Sequence, residues 1–310
     1  MSVIQTILHP TDFSDAARAA FRRALQIADT HDAVLHLLNV APNLGEDPVR
    51  YAYDMEAGDE SIVKKMRDAS DAKMRELIEA VGAQDQEIRR VHSRGVAPGP
   101  VILEYAEDQD VDLVVMGTHG RRGVKRLVLG SVTEEVTRQA PCDVLTVRGE
   151  EEENGTPPVV HKLLVPVDFS VFSRPLLQSA KVIAASFGAQ IDLIHVIEPL
   201  PFPAPLMGAM TLNDLVSDPG ARTAEHLDEL IRSTGGPHVP IELHTEEGNA
   251  AQTILDAAEA LSSNMIVIAS HGRSGLEELL LGSVTARVIR KSHCPVWIAR
   301  AEPEQIGADS

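Results

Sequence analysis

Short aliphatic and β-branched runs, bounded by turn residues, alternate along the chain with segments whose apolar residues return every three or four positions. The runs predict strands at Ile4–His9, Val34–Val40, Ile88–Ser93, Leu113–Met116 and Val144–Val147. A second set follows at Leu163–Val167, Ile191–Ile197, Ile241–Thr245, Met265–Ala269 and Val296–Ala299. Runs such as Val34-Leu35-His36-Leu37-Leu38 are apolar nearly throughout, as parallel strands covered on both faces must be. After Ser14, the residues Ala17, Ala20, Phe21, Ala24, Leu25 and Ala28 recur at helical spacing, and Ser14 can cap that helix. Ser173 and Pro175 mark the start of the corresponding helix later in the chain. Strand and helix alternate, so the pattern predicts an α/β fold in which each half is a five-strand parallel sheet with helices on both faces. Ligands of such sheets sit at the carboxyl ends of the strands, where the strand order reverses.

The two sets are copies. Leu8-His9-Pro10-Thr11-Asp12-Phe13-Ser14 returns as Val165-Pro166-Val167-Asp168-Phe169-Ser170. His119-Gly120 and Leu129-Gly130-Ser131-Val132-Thr133 return as His271-Gly272 and Leu281-Gly282-Ser283-Val284-Thr285. A long, nearly constant offset means duplication of a domain rather than a solenoid. Between the copies, Gly149 to Pro158 has four consecutive glutamates from Glu150, two glycines and a Pro-Pro pair, the composition of an extended linker. The expected division is a domain over 1–148, a linker over 149–158, a domain over 159–301 and a polar tail over 302–310.

Charge narrows the possible partners. The 310-residue chain carries a net charge of −18, which argues against nucleic acid and against anionic membrane surfaces. No run approaches the roughly 20 apolar residues of a membrane-spanning helix. The opening Met1-Ser2-Val3-Ile4 has no secretory leader pattern, and two distant cysteines, Cys142 and Cys294, make no disulfide framework. A cytoplasmic protein is expected, with both cysteines buried as small apolar residues at the start of each last strand.

The chemistry gathers after the fourth strand. Val115-Met116 leads into Gly117-Thr118-His119-Gly120, then nine residues, then Gly130-Ser131 opening a helix over Val132 to Gln139. Glycines let the backbone approach a ligand closely, and a helix start offers unpaired N–H groups and a positive dipole end to phosphate. The Ser131 hydroxyl can bond a phosphate oxygen or the helix's own N–H groups. Arg121, Arg122, Lys125 and Arg126 make the nine-residue segment the densest basic cluster of an acidic chain. The plainer alternative is that the glycines only make turns and Ser131 only caps.

The pattern G-x2-G-x9-G-[ST], downstream of a strand ending P-x-D-F-S, resembles the universal stress protein family, and the resemblance spans both halves. It implies two tandem Rossmann-like domains of the adenine nucleotide α-hydrolase-like type. It implies ATP, with or without magnesium, bound in the first half, in a protein of stress response or signalling without efficient catalysis. Carried over residue by residue, Pro10, Thr11 and Asp12 match the first-strand motif and Val40 the adenine-contacting position. Met116, Gly117, His119, Gly120, Arg121, Gly130, Ser131 and Val132 match the phosphate segment. The family's habit of pairing through last strands implies that Val144–Val147 and Val296–Ala299 pair within the chain, and homodimerisation is also expected.

The second copy departs from the pattern. Pro166, Val167, Asp168, Val196, Gly272, Gly282, Ser283 and Val284 hold the matching places, but Ala269 replaces the first glycine. A methyl there strains the backbone if φ is positive, or blocks close approach. Glu277 and Glu278 stand where the first copy has its cations. The second site is therefore expected to be weaker or altered, or to take a less charged ligand under the Pro-rich apolar segment 199–207. The alternative for the whole chain is an interaction scaffold with degenerate sites.

His119 and His271 can touch a ligand or steady a turn. Asp12 and Asp168 read as polar anchors or turn residues rather than as bases. Phosphoryl transfer needs positioned metal ligands and a group that orients the nucleophile, and the sequence offers no such set. Twelve histidines are scattered without H-E-x-x-H or C-x-x-C spacing, so no metal site is expected.

Overall fold

The computed structural model describes residues 4–42, 60–84, 86–120, 129–148, 157–198, 219–271 and 281–300. The chain divides into two compact units, one of Ser2–Pro158 with His293–Ile298, the other of Val159–Ser292 with the residues from Ala299 onward.

The first unit runs β1 (Thr6–Pro10), α1 (Asp15–His31), β2 (Val34–Pro42), α2 (Glu60–Ala80), β3 (Ile88–Gly95), α3 (Pro98–Asp108), β4 (Leu113–Gly117), α4 (Ser131–Gln139) and β5 (Asp143–Val147). Its strands lie in the order β3-β2-β1-β4-β5, all parallel. The order reverses between β1 and β4, so the crevice predicted for ligands opens at the ends of these two strands. β10 (Val296–Ala299) runs antiparallel to β5, with Val296 opposite Thr146, Trp297 opposite Leu145 and Ile298 opposite Val144, the strand pairing the family resemblance implies. Trp297 is buried, and its indole N–H donates to Asp143 Oδ2 at 2.8 Å.

The second unit runs β6 (Lys162–Pro166), α5 (Ser173–Phe187), β7 (Gln190–Ile197), α6 (Pro219–Ser233), β8 (Ile241–Glu247), α7 (Ala250–Ala260), β9 (Met265–Ala269) and α8 (Ser283–Lys291), with parallel strands in the order β9-β6-β7-β8. Each half is thus the mixed α/β fold that the alternation of elements dictates, with helices on both sheet faces. No helix among the described residues is long and apolar enough to cross a membrane.

Local chemistry sets the element ends. Ser14 caps α1, its hydroxyl accepting the Ala17 N–H at 3.2 Å, and all six residues of the predicted apolar stripe are buried. α5 begins at Ser173 as its N-terminal signals indicate, but Phe172 occupies the cap position and the Ser173 hydroxyl donates instead to Asp168 Oδ1 at 3.3 Å. Arg23 lies in the core, an unexpected place for a cation. Its guanidinium donates to the Pro158 carbonyl at 2.8 Å and to Gln26 Oε1 at 2.7 Å, which fastens the end of the expected linker to α1. Cys294 is buried as expected, whereas Cys142 is half-exposed; both lie in the turn just before their strand rather than on it.

His9 joins the two strands that frame the crevice. It is fully buried on β1, and its Nδ1–H donates to the Val115 carbonyl of β4 at 2.8 Å. Nε2 has no hydrogen-bond partner among the described residues. Burial pushes the pKa of this imidazole down to about 4, against the raising effects of the Val115 bond and the Asp12 charge. The folded value lies below the unfolded value of about 6.5. The unfolded chain therefore takes up a proton between pH 6.5 and 4 that the native state refuses, and stability falls as pH drops through that window. The loss from this group approaches roughly 3 kcal/mol once pH is below the folded value. Valine holds the matching place in the second half, at Val165. Urea unfolding of wild type and His9→Val between pH 7 and 5 is expected to give a shallower decline in the variant; parallel declines would refute the assignment.

Candidate functional site

The crevice of the first unit is built on the segment that follows β1. The Thr11 N–H donates to the Leu38 carbonyl at 2.8 Å, and Asn39 Nδ2 donates to the Thr11 carbonyl at 2.8 Å, so β2 holds this segment from both sides. Thr11 Oγ1 accepts the Phe13 N–H and Asp12 Oδ1 accepts the Ser14 N–H at 3.0 Å. These bonds stabilise Phe13 at φ 65°, a left-handed conformation unusual for a bulky residue. Asp12 is therefore a turn-forming carboxylate that also points its second oxygen toward the loop after β4.

That loop closes on it. A Cβ on Gly120 would lie 2.8 Å from Asp12 Oδ2. A Cβ on Gly117 would lie 2.8–3.0 Å from the backbone and side chain of Ala16 in the first turn of α1. Neither glycine has positive φ. The glycine requirement here is close approach, from α1 at 117 and from a carboxylate at 120, rather than left-handed backbone. The Thr118 N–H donates to the Val147 carbonyl at 3.0 Å, and the Gly130 N–H returns to the Thr118 carbonyl at 2.9 Å, which brings the start of α4 beside the end of β4.

Gly130 is the N-cap of α4, and no side chain caps it. Ser131 is the first helical residue and is exposed, and glycine occupies the cap position, which sets aside the plainer alternative that Ser131 only caps. The first-turn N–H groups have no intrahelical acceptors and stand at the positive end of the helix dipole. Thr133, for which no role was expected, donates its hydroxyl to the Gly117 carbonyl at 2.9 Å and fastens this turn to β4. His119 Nδ1 lies 2.8 Å from Thr118 Oγ1, so the ring is held against the turn.

The structure thus brings Pro10, Thr11, Asp12, Met116, Gly117, His119, Gly120, Gly130, Ser131 and Val132 to the ends of β1 and β4, with Val40 near the end of β2. Arg121 and the rest of the basic cluster lie outside the described residues. Lys73 of α2 is described and stands over the Phe13 ring at 5.6 Å. A cavity of about 410 Å³ lies elsewhere, along β3 and α2, among residues such as Arg67, Arg90 and His92, and it does not include the glycine segment.

The second unit repeats the frame with other side chains. Asp168 Oδ1 accepts the Ser170 N–H at 3.0 Å, Phe169 sits at φ 58°, and the Val167 N–H donates to the Ile194 carbonyl. Where Asn39 serves the first unit, His195 donates from Nδ1 to the Val167 carbonyl at 2.8 Å. Phe169 packs on His195 at 4.4 Å and on His226 at 5.6 Å, and Phe172 lies 6.0 Å from His271, so aromatic rings crowd this crevice. Pro166 ends β6 and Val196 lies near the end of β7. Gly282 caps α8 with no side-chain bond, ahead of Ser283 and Val284, and Thr285 donates to the Ala269 carbonyl at 2.8 Å.

The condition for backbone strain at Ala269 is not met. Its φ is not positive and its methyl is buried. The chain spends an extra turn between Ser170 and Ser173 before α5 begins, so that helix starts two positions later relative to Asp168 than α1 does relative to Asp12. Gly272, Glu277, Glu278 and the segment 199–207 lie outside the described residues.

The comparisons agree with this geometry. The sequence profile of the universal stress protein family matches residues 4–148 and again 160–300. A universal stress protein of Methanocaldococcus jannaschii is 33% identical over 143 residues, which is 45% of this chain and 81% of that protein. A universal stress protein of Staphylococcus saprophyticus, so named provisionally, is 32% identical over 154 residues, 49% of this chain and 87% of its own. The crystal structure of a universal stress protein from Archaeoglobus fulgidus covers 95% of this chain and 98% of its own with a TM-score of 0.67 at 20% identity, a likeness of fold. With two profile matches that together take in nearly all of its length, the chain belongs to the universal stress protein family as a tandem member.

Proposed function

We propose that the first half binds ATP or a related adenine nucleotide, and that occupancy serves stress response or signalling by biasing conformation or self-association rather than by rapid turnover. The observation that carries this reading is the start of α4: a helix N-terminus capped by glycine alone, tied beside a loop in which Gly120 leaves no room for a side chain against Asp12. Phosphates suit such a helix start because its first-turn N–H groups lack intrahelical acceptors at the positive end of the dipole, where Glu134 is the one acidic residue of the first turn. In this reading Gly117, Gly120, Gly130, Ser131 and Val132 hold the phosphates, with Met116 and His119 lining the turn and Arg121 adding charge. Pro10, Thr11, Asp12 and Val40 hold the base and ribose. Magnesium, when bound with the nucleotide, supplies charge neutralisation at the phosphates. A cytoplasmic setting and a homodimer accompany the proposal.

For the second half the favoured reading is a diverged site around Asp168, Ala269, Gly282, Ser283 and Val284. The observation favouring it is the ring cluster Phe169, His195 and His226, which suits a less charged ligand or a purely structural role.

Calorimetric titration of ATP into the full chain, with and without magnesium, is expected to show one saturable event per chain. No heat at millimolar ATP from a folded sample would end the reading. Two substitutions separate binding from folding. In Gly120→Ala the new methyl meets the end of a side chain, so ATP affinity is expected to fall about tenfold or more, worth about 1.4 kcal/mol, while thermal stability changes little. In Gly117→Ala the methyl meets helix backbone, so stability itself is expected to fall by about 1–3 kcal/mol in denaturant unfolding. ATP turnover is expected to stay below roughly 1 s⁻¹, and a faster rate would overturn the non-catalytic part of the proposal.

A further inference from the structure

The second unit carries a cluster that its sequence spacing does not announce. Asp192 on β7 stands opposite Glu242 on β8 in the parallel register, and His244 follows two positions later on the same strand and hence the same face. One ligating atom from each of Asp192, Glu242 and His244 lies within 4.8 Å of the others. Asp192 is completely buried, His244 is half-buried and Glu242 is exposed, so the cluster runs from the interior to solvent at the edge strand.

The carboxylate of Asp192 is poised on both sides. Oδ1 accepts a hydrogen bond from His244 Nε2 at 3.2 Å. Oδ2 accepts no hydrogen bond among the described residues and has the Lys162 ammonium of β6 at 3.5 Å. Ligands about 2.1 Å from a tetrahedral ion are roughly 3.4 Å apart, so the Oδ1–Nε2 separation is already that of neighbouring ligands on one metal. Lys162 then serves the oxygen that faces away from the metal, as outer partners do for ligating carboxylates. Among the described residues the second unit alone has this set. In the first unit the place of Asp192, opposite the middle residue of the central strand, is taken by His36, and its register partner is Arg89. There Tyr105 lies 3.1 Å from His36 Nδ1.

We infer that Asp192, Glu242 and His244 form a divalent transition-metal site, Zn²⁺ or a similar ion, with three protein ligands and a solvent-facing position left open. Two carboxylates and one imidazole suit borderline ions of this kind better than magnesium, which prefers oxygen and water. The paired lysine leaves the ligands with one net negative charge, which a divalent ion more than balances. The site is independent of nucleotide binding in the first half.

The test is Zn²⁺ titration of the chelator-treated full chain by calorimetry, beside Co²⁺ titration read by its visible ligand-field absorption. One equivalent of Zn²⁺ is expected, together with the intense Co²⁺ spectrum of a low-coordinate site. Glu242→Gln and His244→Gln are each expected to weaken Zn²⁺ binding about tenfold or more and to lose that spectrum. A substitution at an exposed histidine elsewhere, His238→Gln, is expected to change neither. Glu242 is exposed, so its variant is expected to fold even if that of His244 does not. Absence of Zn²⁺ binding at concentrations near that of the protein, or binding that survives Glu242→Gln at full strength, would overturn the site.

Discussion

The first-half crevice depends on how closely α1 can approach the end of β4. Gly117 lets the backbone of Ala16 come to a distance that no Cβ tolerates, and that approach places the Asp12 turn beside the loop that leads to α4. His9 fixes the same pair of strands from within the core through its bond to Val115. Thr133 closes the arrangement by fastening α4 to the Gly117 carbonyl. The result is a helix start whose first-turn N–H groups lack intrahelical acceptors and whose cap residue offers no side chain, standing beside the Asp12 turn.

The second half shows what happens when that constraint is relaxed. Ala269 takes the place of Gly117, and the path into α5 lengthens by a turn at Ser170–Ser173. The hydrogen-bonded skeleton survives: Asp168 still closes its turn, Gly282 still caps its helix and Thr285 still reaches the strand carbonyl. What changes is the lining, where Lys73 over Phe13 gives way to His226 over Phe169. The same backbone therefore sets a lysine over the turn phenylalanine in one copy and an imidazole in the other.

Much of this was legible in the sequence. All ten strands lie within two residues of the runs that predict them; the central ones are written as nearly continuous apolar stretches because they are buried on both faces, whereas the edge strands β3 and β8 are mixed and half-exposed. The spacing of Gly117, Gly120 and Gly130 marked the loop and helix start. The reason for each glycine was not legible, since close approach by Ala16 or Asp12 is a tertiary fact while spacing is a local one. His9, Thr133 and the Arg23–Pro158 tie were missed for the same reason: each bonds a carbonyl far away in sequence. Asp192, Glu242 and His244 escaped a search for metal motifs because their proximity comes from strand register. Of the two effects weighed at Ala269, backbone strain does not arise, because neither copy adopts a positive φ there.

Amide chemical shifts of isotope-labelled full chain during ATP addition test the central claim most directly. The account predicts the largest displacements at Ser131, Val132 and Thr133, the first-turn amides of α4, with Ser283, Val284 and Thr285 unmoved at the same ATP concentration. Displacements that favour the second set, or that are spread evenly over both halves, would contradict it.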